Sequence, residues 1–85
     1  MEKDYKKFYE QIAKRNKLTV SQAGSIRGYL LGAKGDKELA KSLIDKTTMK
    51  SRRRRKHSLE YYYELFAIVS KLSEKEIMDL TQEIK

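Results

Sequence analysis

The chain has 85 residues, with 20 Lys/Arg against 12 Asp/Glu, no cysteine and no proline. That length suits a single domain (residues 1–85) with a modest core, and the lack of cysteine excludes disulfides and thiolate metal centres. A content of 39% hydrophobic and 38% charged residues is polar without being that of a disordered chain.

The charged opening Met1–Lys7 has no apolar stretch of the kind a signal peptide needs, and the longest apolar run, Leu65–Val69, is too short to cross a bilayer. Abundant Lys, Glu, Leu and Ala without proline favour helix. The expectation is an all-α cytoplasmic protein.

Tyr5, Phe8, Tyr9 and Ile12 follow the i, i+3, i+4, i+7 spacing of one helix face, and the spacing predicts a first helix over roughly residues 3–16. Asn16-Lys17 is its exit. Thr19-Val20-Ser21-Gln22 is a capping box that opens a second helix, with Val20, Ala23, Ile26 and Leu30 inward and an end near Gly32. Gly24 inside that helix costs about 1 kcal/mol relative to alanine. It is either a tolerated defect or a place where a neighbouring helix comes close.

Gly32-Ala33-Lys34-Gly35 is a turn in which Gly32 or Gly35 suits a left-handed conformation. Asp36 caps a third helix whose narrow apolar stripe is Leu39, Ala40, Leu43 and Ile44. Thr47 and Thr48 are poor helix residues, so a break is expected at Lys46–Lys50. A fourth helix starts at Ser58, with Leu59, Tyr62, Tyr63, Phe66, Val69 and Leu72 on one face and Tyr61, Leu65 and Ile68 on its flank. Phe66 stands at the centre of this pattern. A helix apolar around most of its circumference is central to the fold or is covered by a partner. Ser73-Glu74-Lys75-Glu76 is a second capping box, with Leu72 and Ile77 as its hydrophobic staple, and the last helix presents Ile77, Leu80 and Ile84. No alternating pattern is long enough for a sheet. The expected fold is a compact bundle of about five short helices.

The charge is not spread evenly. Seven of the twenty Lys/Arg lie in Lys46–His57, which holds no acid, so the other residues carry thirteen positive and twelve negative charges. Arg52-Arg53-Arg54-Arg55-Lys56 are five cations in succession. Such a concentration attracts phosphate or other polyanions. Arginine pairs bidentately with phosphate or with the guanine edge. Thr47, Thr48 and Ser51 add hydroxyl donors among Lys46, Lys50 and the arginine run. His57, the sole histidine, would add charge only in acid, and is also a plain helix-start residue. Four adjacent arginines point around a full helical turn, which argues for a loop or for a helix lying in a groove. Binding to DNA is the expected function, with structured RNA as the competitor. Anionic lipid is disfavoured because no second anchor lies beside the run.

Glu38-Leu39-Ala40-Lys41-Ser42-Leu43 resembles the first helix of a helix-turn-helix, which would make Thr47–Lys56 a recognition segment for the major groove. Lys50 stands where that pattern expects an apolar residue, and Ile44 where it expects the turn glycine. An ordinary amphipathic helix explains the same residues. Tyr61-Tyr62-Tyr63 directly follow the cations. Tyr62 and Tyr63 are expected in the core, leaving Tyr61 as the candidate for stacking on bases. With one histidine and with carboxylates set at ion-pair spacing beside lysines, neither an enzyme nor a cofactor is expected. A small DNA-binding regulator is expected, dimeric through the Leu59–Leu72 helix. The alternative is an inhibitor that binds the nucleic-acid-facing surface of another protein.

Overall fold

A computed structural model describes residues 5–50 and 54–83 of the chain, and its backbone is all-helical. The helices are α1 (Tyr5–Arg15), α2 (Val20–Gly32), α3 (Lys37–Thr48), α4 (Leu59–Lys71) and α5 (Glu74–Thr81). α2 touches all four others, and α3 with α4 forms the most extensive pair.

The starts and stops follow local chemistry. Both capping boxes form: Gln22 N donates to Thr19 Oγ1 and Thr19 N to Gln22 Oε1, each at 3.1 Å, and Ser73 with Glu76 repeats the exchange. The Ser73 amide and hydroxyl hold the Glu76 carboxyl below the usual carboxylate range. Asp36 accepts from Glu38 N and Leu39 N, and Ser58 from Tyr61 N. α1 exits through Lys17 in the left-handed region (φ 57°). After α2 and its C-cap Ala33, Lys34 (φ 55°) and Gly35 (φ 80°) are both left-handed and Gly32 stays helical, with the Lys34 amide donating to Leu31 O and the Gly35 amide to Leu30 O at 2.8 Å.

One cluster of buried side chains joins the helices, and Ile12, Ile26, Leu30, Ile44, Leu65, Val69 and Leu80 are its large enclosed members. Phe8 and Tyr9 pack against it from α1; the Tyr5 side chain and Ile84 lie outside the described residues. Leu72 and Ile77, flanking the second capping box, are both buried.

Several inward assignments change. Val20 is exposed because it is the first residue of α2, and Leu39, in the first turn of α3, is exposed too. Along α4 and its C-cap the buried line is Tyr62, Leu65, Val69 and Leu72, an i, i+3, i+7, i+10 series that keeps Tyr62, Val69 and Leu72 of the expected face and takes Leu65 from its flank. Leu65 therefore holds the centre and Phe66 is half-buried, while Tyr63 is 60% exposed. On its flank Tyr61 meets α2: its hydroxyl lies 2.8 Å from Ser21 Oγ and 2.9 Å from Ser25 Oγ.

α3 ends at Thr48 with Met49 as its C-cap, inside the stretch Lys46–Lys50 where a break is expected, but only after both threonines. It continues through Thr47 and Thr48, whose hydroxyls donate to Leu43 O (3.1 Å) and Asp45 O (2.6 Å). A Cβ on Gly24 would stand 3.8 Å from Tyr9 Cε1, an ordinary contact, so no close helix approach requires this glycine. A helix-turn-helix-like arrangement is compatible with this packing but is not established by it. The described part of Thr47–Lys56 is the end of α3 followed by irregular chain, and the next helix begins at Leu59.

Candidate nucleic-acid interface

The connection between α3 and α4 carries the candidate residues. Ser51, Arg52 and Arg53 lie outside the described residues. Lys46, in the last turn of α3, and Lys50, Arg54, Lys56 and His57 are exposed. Among the described residues, the ion pairs are Arg15–Asp79 and Glu38–Lys41, so none of these four Lys/Arg meets a carboxylate. Lys56 stands just before the start of α4, where Arg55, Lys56, His57, Ser58, Leu59 and Glu60 line an open depression of about 700 Å³. The positive end of the α4 dipole adds to the field of Lys56.

Not every expected donor is available. Thr47 Oγ1 donates to Leu43 O and accepts from the Tyr29 hydroxyl at 2.8 Å. Burial pushes the Tyr29 phenol above its ordinary pKa, and the hydrogen bond to Thr47 partly offsets that. Thr48 directs its proton to Asp45 O. Arg55 is half-buried, and its Nη1 donates to Thr48 O at 3.2 Å and Lys50 O at 3.1 Å. Its Nε is buried with no hydrogen-bond partner.

Tyr61 is held in place. His57 stacks on its ring at 4.0 Å between centroids, with 27° between planes, and its hydroxyl reaches Ser21 and Ser25. One ring face is therefore covered. Tyr63, which the sequence placed in the core, is the exposed ring of the three tyrosines.

Arg27 is a charged residue that sequence reasoning missed. It is buried, donates from Nη1 to Leu80 O (3.0 Å) and Gln82 O (2.6 Å), and sets its guanidinium 5.0 Å from the Phe8 ring centroid. It thus satisfies carbonyls at the C-terminal end of α5. The signal was present: Ala23, Arg27 and Leu30 stand at i, i+4, i+7 on the inward face.

Among the described residues, no cluster of three or more His, Asp or Glu is placed to hold a metal ion, and no helix is long and apolar enough to cross a membrane. Comparison with family models, curated proteins and solved structures gives no match. The functional reading therefore rests on the residues themselves.

Proposed function

We propose that this chain binds nucleic acid, duplex DNA before RNA, through the exposed cations of the α3–α4 connection, and that it acts as a binder and not as a catalyst. The observation that carries the reading is that Lys46, Lys50, Arg54 and Lys56 are exposed without a carboxylate partner. Like charges left together repel, and a polyanion relieves that repulsion while releasing its own condensed counterions. These four, with Arg52 and Arg53 next to them in sequence, can meet about five phosphates, which corresponds to a log–log slope of affinity against salt of roughly −4 to −5.

The test is titration of a mixed-sequence duplex and a structured RNA across a salt series. A slope in that range, steeper in affinity for the duplex, supports the reading. Indifference to every polynucleotide near physiological salt would sink it, and would leave an inhibitor that docks on another protein as the better account.

A regulatory role and a homodimer belong to the same proposal. The dimer has a narrower basis than the apolar pattern of Leu59–Leu72 suggested, because α2 and α3 cover its flanks. Tyr63 and Ala67 remain at the solvent face of α4. Molecular mass in solution, measured for the protein and for Tyr63→Lys, decides whether that face joins two copies.

A further inference from the structure

Arg55 differs from the cations on either side of it. Arg54, Lys56 and His57 are exposed, whereas Arg55 turns back and gives one nitrogen to the carbonyls of Thr48 and Lys50. Those carbonyls stand at and just beyond the C-terminal end of α3, where helix acceptors lack intrahelical partners and the dipole is negative. No left-handed glycine closes this helix; its C-cap, Met49, is itself in the right-handed region (φ −80°, ψ −12°). The guanidinium does that work. It draws residue 55 onto residues 48 and 50.

A second hold lies two residues on. His57 stacks on Tyr61, and Tyr61 is fixed to α2 through Ser21 and Ser25. Lys56 stands between the two holds and Arg54 immediately before the first, both exposed.

A bidentate phosphate contact by arginine uses two neighbouring N–H groups of its fork. In Arg55 the Nε side is buried and Nη1 is already engaged by two carbonyls. Little of the fork is left for a ligand. Ordering a loop before binding, by contrast, lowers the entropic cost of the encounter.

Resting on the polynucleotide reading above, we infer that Arg55 is a positioning residue. It docks the α3–α4 connection on the carbonyls of Thr48 and Lys50 so that Arg54 and Lys56 are presented to phosphate, and it does not itself contact the polyanion.

Three variants test this. Arg55→Met keeps the apolar stem and removes the donors; because it also removes a buried donor that has no partner, the fold should survive it. Arg55→Lys restores a cationic donor, and Arg54→Ala removes an exposed cation. Amide hydrogen exchange is followed in the free proteins, and affinity for a mixed-sequence duplex is measured across a salt series.

Arg55→Met should exchange at residues 50 and 54–58 roughly tenfold faster or more, since hydrogen bonds from a charged donor are lost. Its affinity should fall on the order of tenfold with the salt slope unchanged, and Arg55→Lys should recover most of both. Arg54→Ala should leave exchange as it was and make the slope shallower by about 0.9.

An Arg55→Met protein that exchanges like the unaltered chain overturns the inference, whatever it binds. A slope shallower by the same amount as in Arg54→Ala would make Arg55 a phosphate contact, and also overturns it. If the unaltered protein binds no polynucleotide, the binding reading fails and takes this role with it. Exchange in the free protein separates that failure from an Arg55 that holds nothing.

Discussion

Two regions of the molecule treat positive charge in opposite ways. Around α5, Arg15 forms a two-pronged contact to Asp79 (2.8 and 3.2 Å), Asn16 joins the same carboxylate, and Arg27 caps α5 from inside the core. At the α3–α4 connection, Lys46, Lys50, Arg54 and Lys56 have no such partners among the described residues, and Arg55 turns inward. The arginine side chain is the same in both places; the surroundings decide whether it holds the protein together or remains free to meet something else. A count of cations marks the segment, but the absence of partners is what gives the segment a function to explain.

The largest effect expected from breaking that contrast is at Arg27. Arg27→Met removes two charge-assisted hydrogen bonds and strands the Leu80 and Gln82 carbonyls, so the unfolding free energy should fall by about 2 kcal/mol in denaturant melts. The salt slope of polynucleotide binding should not change. A loss of binding without loss of stability would move Arg27 into the interface and erase the distinction between the two regions.

A smaller change sharpens the same contrast by strengthening the body alone. Gly28 is exposed within α2, and a Cβ there would meet nothing within 4 Å. Gly28→Ala should raise stability by about 1 kcal/mol, through helix propensity and the unfolded chain, with binding unaffected. A gain near zero would mean that α2 is not helical enough at this point to register the substitution.

Much of this body is legible from residue order because it depends on neighbours close in sequence. Thr19 with Gln22, Asp36 with the amides after it, Ser58, and Ser73 with Glu76 each mark a helix start within four residues, and each forms as the pattern requires. Which face of α4 turns inward was less legible, since Tyr62, Tyr63, Leu65 and Phe66 are all apolar enough to be buried. The contacts that accompany the observed face come from far away in sequence: Ser21 and Ser25 meet the Tyr61 hydroxyl, and Lys41 sits 5.3 Å from the Phe66 centroid. The basic segment was visible at once as charge, but its division into exposed and inward-turned members was not. Arg55 differs from Arg54 only in where its donors arrive, and carbonyls five and seven residues earlier leave no compositional trace.

The smallest expected effect is the most direct test of the contrast. Replacing Arg54 and Lys56 together with alanine should change the unfolding free energy by less than about 0.5 kcal/mol, because neither side chain meets a carboxylate among the described residues. The sign should favour the variant, since two members of a repelling set are gone. Added salt screens that repulsion, so the unaltered protein should gain stability as salt rises from low ionic strength, and the double variant should gain less. Thermal melts of both proteins across a salt series measure the two slopes. A cost near 2 kcal/mol would put Arg54 and Lys56 in the same class as Arg27, as parts of the fold, and the cations of the α3–α4 connection would then need no ligand to account for them.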